Sequence, residues 1–440
     1  MKNRIFISIL AILSLSLIIA FLYGCASGPG GGGTPVTYYD VYVSTTGSDD
    51  AGDGSAAKPY KTIQKGLNSA LTSEVVYVLN GVYSENVVWP TVYARMNLTL
   101  KGQSTTATTL DAGESGRAIY IDLVDVQRIT IESMTIKKGN AGDGAGVYIK
   151  ANTGGFKQKV RLNDLLICDN TSSGYGGGIN NTSDVYFVLE NTTFKGNTAK
   201  YGGAISALGY SKINNCIFDG NRASGASLSY AGALYYSGGA TLTVESSVFS
   251  NNTATYDATC DGGAIFVDEM CYAKFVNCII FNNKSGRWGG GIKHTLGSPI
   301  SATFSYLFMT NCTIVSNEAG TTGSGLWLIY NNGTASFEAR NSIIWGNKTN
   351  QIACTSGDEN VRVKLVNSDI AGGGYTGAIN KAPNFADSPS YDNALDFKLT
   401  SNTTSEISQG GTNESTPATD IGGFSRNATK PSMGAWEYIP

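Results

Sequence analysis

Four aromatic residues recur at one position in this chain. Tyr175, Tyr201, Tyr230 and Trp288 each stand immediately before a Gly-Gly or Ala-Gly pair, where Asp261 and Thr322 stand in other copies. If the copies stack, these residues predict one stripe of flat rings beside a turn. Such rings suit sugar faces or a protein partner, although a ladder that only shields the turn gives the same pattern. Catalytic groups are sparser. Glycoside hydrolysis needs two carboxylates about 5 to 10 Å apart, and a lyase needs a cation held by carboxylates plus a Lys or Arg base. Asp257, Asp261, Asp268 and Glu269 form the best acidic cluster, with Lys274 or Arg287 as nearby bases. The plainer expectation is solvated turn carboxylates, so no residue is assigned as catalytic. The single histidine, His294, is expected at a turn or on the surface, since a lone histidine supports no triad. Asp49, Asp50 and Asp53 lie in a Gly-containing loop that is a weak Ca²⁺ candidate, though Asp/Gly clusters are also ordinary turn chemistry.

A repeat must position these residues. Phe194-Lys-Gly-Asn197 is followed by Gly202-Gly-Ala-Ile205, Phe249-Ser-Asn-Asn252 by Gly262-Gly-Ala-Ile265, and Ile280-Phe-Asn-Asn283 by Gly289-Gly-Gly-Ile292. Phe218-Asp-Gly-Asn221 precedes Gly232-Ala-Leu234, and weaker copies begin at Ile136, Ile167, Ile314, Ile344 and Ile370. A period of about 30 residues marks a solenoid. The apolar anchor points inward, the Asn three residues later sits at a turn where stacked amides bond along the axis, and the glycines allow the chain to reverse. The predicted fold is all-β: a single-stranded right-handed parallel β-helix with three short strands per rung. Apolar residues at helical spacing over Thr62–Leu71 predict a short capping helix, because an open rung exposes unpaired backbone.

Composition limits the partners. Net charge is −3 with only 15% charged residues, which provides no basic face for nucleic acid. Of eight cysteines, Cys216, Cys278 and Cys312 lie two residues before an anchor, which predicts small inward core residues. Pairing of Cys260 with Cys271 across a turn is the less favoured alternative.

The start stands apart. A positive Met1–Arg4 precedes an uncharged apolar run from Ile5 to Tyr23, then Gly28–Gly33 forms a flexible tether. Leu22-Tyr-Gly-Cys25 resembles the lipobox of bacterial lipoproteins, which implies acylation of Cys25; an uncleaved signal anchor is the alternative. The expected organisation is a signal peptide over 1–24, a tether over 25–38 and the β-helix over 39–440, with an N-terminal cap at about 39–110 and a closing segment at about 375–440.

Val41-Tyr-Val-Ser44 with Lys58-Pro-Tyr-Lys-Thr-Ile63 and Gly81-Val-Tyr83 resembles the start of pectate-lyase-like β-helix proteins. The GG[AG]I and FxxN units resemble repeats of chlamydial polymorphic outer membrane proteins, which are adhesins. Ala382-Pro-Asn-Phe385, Asp420-Ile-Gly-Gly423 and Met433-Gly-Ala-Trp-Glu437 resemble the C-terminal element of anchored bacterial β-helix proteins. These resemblances imply an envelope lipoprotein, anchored to the outer membrane or cell surface, that binds glycan or a host or neighbouring surface protein. A Ca²⁺-dependent polysaccharide lyase and a passive structural protein are the alternatives; the paired aspartates with Gly-His-Gly of hydrolase-type β-helices are absent. Resemblance at this level specifies fold more strongly than activity.

Overall fold

The computed structural model describes residues 40–438 except 92–96, 125–126, 152–157, 226–227, 256, 297–304, 331–334, 356–362, 374 and 387–393. The expected signal peptide over 1–24, the expected tether and Cys25 therefore lie outside the described residues.

The described chain is a right-handed parallel β-helix, as the repeat predicts. One rung shows why. Tyr186–Glu190 forms the first strand, Asn191 bends the chain at φ 50°, and Thr193–Lys195 forms the second. Asn197 then turns the chain into Thr198–Ala199, Gly202 reverses it at φ 66°, and Ile205–Ala207 completes the rung. A Cβ on Gly202 would also lie 2.0 Å from the Ile205 carbonyl oxygen, so this turn requires glycine. The two-residue strand after each Asn is a fourth row that the three-strand expectation omitted.

Like rows pair in register and in parallel. The first two rows merge into a 22-stranded sheet, because Arg128–Lys137 and Lys159–Cys168 each run through both. The third row is a 10-stranded sheet and the two-residue row a 7-stranded one. Between first and second rows, Asn191, Asn215, Asn277, Asn311, Asn341 and Asn367 all adopt positive φ, a conformation that Asn tolerates better than most residues.

Stacking fills the core. Phe194, Phe218 and Phe249 are fully buried, with ring centroids 5.0 and 4.4 Å apart and planes within 6°. The Asn after each anchor forms a buried ladder. Asn170, Asn197, Asn221, Asn252, Asn283 and Asn317 each donate Nδ2–H to the next Oδ1 at 2.9–3.0 Å, ending on Asn347. Most also donate to a carbonyl of the preceding rung, as Asn252 does to Phe218. These bonds satisfy turn backbone that the core would otherwise leave unpaired.

The predicted cap is a helix at Ile63–Ser69, with Thr62 as N-cap. It buries Ile63 and Leu67 beside Val41, Val43 and Val76, while Leu71 is exposed. Asp49 accepts from Lys61 N, Thr62 N and Thr62 Oγ1, and Glu85 accepts from Ile63 N and Gln64 N. These carboxylates satisfy the free N–H groups at the helix start.

The closing segment does more than end the coil. Its Phe385, Phe397, Leu399, Ile407, Met433 and Trp436 pack on Ile279, Phe281, Val315 and Ile343, the outward residues of the second row. It thus folds back along the flank. Asn277 donates to Thr419 O, Asn311 to Ser432 O and Asn341 to Thr412 O. Buried Arg426 bonds Asn277 Oδ1, the carbonyls of Gly434 and Ala435, and Glu437.

One further expectation needs correction. His294 is fully buried rather than at a turn or surface, because alternation along Ile292–Leu296 turns Ile292 and His294 inward and Lys293 outward. Its Nδ1 lies 2.9 Å from Val267 O and its Nε2 3.3 Å from Ser305 Oγ, and burial lowers its pKa to about 4. Cys260 and Cys271 do not pair: both are free and buried, as are Cys216, Cys278 and Cys312, which pack inward as expected.

Candidate functional site

The four position-equivalent aromatics do form a stripe. Tyr175, Tyr201 and Tyr230 occupy successive bridges, with ring centroids 4.7 and 5.6 Å apart. Asp261 takes the next place and Trp288 the one after it, paired to Thr322.

A second ladder runs beside it. The second residue of each third-row strand points outward, and Tyr235, Phe266, Lys293 and Trp327 stack there in register. The two ladders interleave. Tyr235 lies 5.8 Å from Tyr201, Phe266 lies 4.9 Å from Tyr230, and Trp327 lies 5.3 Å from Trp288 with planes 18° apart. Sequence reasoning missed this second ladder. Its signal was the residue immediately after the Ile or Leu that follows each glycine pair.

Asp261 interrupts the aromatics at no energetic liberty, being fully buried and fully paired. Arg287 grips it with Nε to Oδ1 at 2.9 Å and Nη2 to Oδ2 at 2.6 Å, and Lys293 Nζ reaches Oδ2 at 2.7 Å. The Arg287 guanidinium lies 3.8 Å from the Trp288 ring centroid. Lys293 Nζ lies 4.4 Å from the centroid of Phe266 and 5.2 Å from that of Tyr230. Burial lowers the Lys293 pKa despite the Asp261 charge, which acts in the opposite sense. The trio fixes where the Tyr and Trp rings sit.

Toward the N-terminal rungs the face opens into a cleft of about 340 Å³. Tyr175 and Tyr235 provide rings, and Asp143, Asn180, Thr182, Ser206 and Ser237 provide polar groups. Asp143 Oδ1 accepts from Tyr175 N at 2.7 Å, and the Tyr235 hydroxyl donates to Asp268 at 2.9 Å. Burial, then the Asp268 charge, raises the Tyr235 pKa, so this phenol stays protonated.

The expected acidic cluster is dispersed among separate tasks. Asp261 serves Arg287 and Lys293, Asp268 serves Tyr235, and Asp257 caps its own turn through Thr259 N at 2.8 Å. Lys274 is exposed on a first-row strand. In the proposed Ca²⁺ loop, Asp49 is turned to the capping helix, Asp53 accepts from Ser55 N, and Asp50 is exposed. Among the described residues no group of three or more His, Cys, Asp or Glu is arranged to hold a metal ion.

Fold and face together define a right-handed parallel β-helix with an aromatic lateral surface. The family described as right handed beta helix region matches residues 117–307, which hold this face as far as Lys293. No curated protein matches the chain. Among solved structures it is similar to XylC in complex with xylose, at 10% identity and TM-score 0.46, covering 75% of each chain. It is also similar to pectate lyase Pel9A, at 14% identity and TM-score 0.38, covering 91% of this chain and 98% of that one. Pectin methylesterase PemA from Erwinia chrysanthemi matches at 12% identity and TM-score 0.33, covering 75% and 93%. At these similarities no activity passes from them to this chain.

Proposed function

We propose that this protein is a glycan-binding β-helix of the bacterial envelope, held by an acylated Cys25 and acting as an adhesin. One observation carries the reading: two interleaved aromatic ladders border a cleft lined with an amide, hydroxyls and a carboxylate. Rings take the apolar faces of sugars, and polar side chains at the rim take their hydroxyls. The carboxylates beside the face already serve structural partners, which favours binding over bond cleavage. No observation specifically favours the Ca²⁺-dependent lyase or the passive envelope element.

The test is a glycan array read with the wild-type protein and a Tyr201→Ala/Trp288→Ala variant of unchanged circular dichroism. Binding that weakens at least tenfold in the variant supports the reading; equal binding overturns it. Unsaturated product from polyuronate with Ca²⁺ would replace it with the lyase. Palmitate-analogue labelling lost in Cys25→Ala tests the anchor, and an unlabelled wild-type protein removes that part.

A further inference from the structure

A third ladder with aromatic residues stands at another corner of the coil, on residues that the repeat motif does not include. It marks the start of the first-row strands. Tyr272 pairs in register with Thr241 on one side and with Tyr306 on the other, with the two Tyr rings 6.0 Å apart. One rung before Thr241, Tyr210 holds the equivalent place, since Ser211 pairs with Leu242. The ladder therefore reads Tyr210, Thr241, Tyr272, Tyr306, with a small residue where a ring is missing. Gly238 and Gly239, both exposed and at positive φ, precede the gap and leave its floor without side chains.

The gap is a cleft of about 400 Å³ lined by Asp184, Tyr210, Gly238, Gly239, Thr241, Met270, Tyr272 and Tyr306. Tyr210 and Tyr272, 39% and 42% exposed, form its two walls. They stand two rungs apart, so their backbones are separated by about 9.6 Å. A flat ring in van der Waals contact with both walls needs only about 7 to 8 Å. A puckered ring with axial hydrogens fills the larger space better. The polar groups are the exposed Asp184 carboxylate, the Thr241 hydroxyl and glycine backbone, and among the described residues no Lys or Arg lines the cleft. That set accepts hydroxyl protons and repels an acidic sugar.

We propose that this gap is a second binding site, for a single uncharged hexopyranose ring held between Tyr210 and Tyr272. It shares no residue with the Tyr175–Trp288 face and stands independently of the function proposed for that face. Saturation-transfer NMR with methyl glucoside, galactoside and mannoside tests it, with choline as a cationic competitor. The expected result is transfer to the ring protons of at least one glycoside. Binding should fall at least tenfold in Thr241→Tyr, which fills the gap with the residue type of its neighbours, and in Tyr272→Ala. It should persist in Tyr201→Ala/Trp288→Ala. Absence of transfer to all three glycosides, transfer unchanged in Thr241→Tyr, or displacement of the sugar by choline would overturn the proposal. Circular dichroism of each variant separates loss of the site from loss of the fold.

Discussion

Lys293 Nζ sits 2.7 Å from Asp261 Oδ2, with both side chains nearly inaccessible to water. An ion pair so deep is held by mutual dependence: either charge alone would be strongly disfavoured. Arg287 adds a second cation to the same carboxylate and continues onto the Trp288 ring.

Replacing Asp261 should therefore damage more than one contact. Asp261→Asn leaves two cations without their counter-charge and should cost about 3 to 5 kcal/mol in urea unfolding. Trp288 emission should shift as Arg287 releases its ring. Adding Lys293→Met to the variant should recover part of the stability, and an additive loss would contradict the coupling.

The amide ladder gives a second expectation. Asn252→Ala removes an acceptor from Asn221 and donors to Phe218 O and Asn283 Oδ1, all buried. At about 1 to 3 kcal/mol for each orphaned group, a loss of at least about 3 kcal/mol is expected. Asn251→Gly alters an exposed neighbour at φ 56° that bonds Asp219 and should cost under about 1 kcal/mol, since glycine adopts that angle freely. Equal costs in chemical denaturation would refute the ladder's role.

His294 makes stability depend on acid. Its folded pKa of about 4 lies below the model-compound 6.5, so below pH 6.5 the unfolded chain takes up a proton that the folded ring refuses. This contribution is fully present above about pH 6.5 and is lost as pH falls to about 4, by ~3 kcal/mol. In His294→Leu that slope should vanish from Tm measured across the window. A slope equal to wild type would show that other groups set it.

Asp369 acts in the opposite direction. It is buried, its Oδ2 has no partner, and burial raises its pKa to about 7. The folded state keeps the proton while the unfolded state releases it near 3.8, so stability falls as pH rises from about 4 through about 7. Asp369→Asn should raise Tm at pH 8 and leave it unchanged at pH 3.5. No gain at pH 8 would indicate that the carboxyl is solvated.

The coil was legible because each of its parts recurs. Phe194, Asn197 and Gly202 do in one rung what Phe249, Asn252 and Gly262 do in another, so a local pattern reported a global stack. The stripe through Tyr175 and Trp288 was legible for the same reason. Lys293 and Trp327 were not, since their position varies freely in residue type and only the pleat shows that it faces outward. His294 was misplaced because one histidine has no repeat to compare, although its spacing of two from Ile292 marked it as inward. The fold-back of residues 400–438 carries no period at all. Its partners are the bend asparagines, whose amides look alike in sequence whether they meet each other or another segment. Asn191 and Asn215 bond one another, while Asn277 and Asn311 bond the closing segment.

That closing segment sets the order in which the molecule is completed. Neighbouring rungs join residues some 30 positions apart, so the coil grows by many short closures, each with a modest entropic cost. Arg426 meets Asn277 across 149 positions. The flank on Ile279, Val315 and Ile343 therefore stays bare until the residues between Phe385 and Trp436 fold onto it. A chain cut before residue 385 would carry the coil with that apolar side open, and the contacts that cover it are of far longer range than those between rungs.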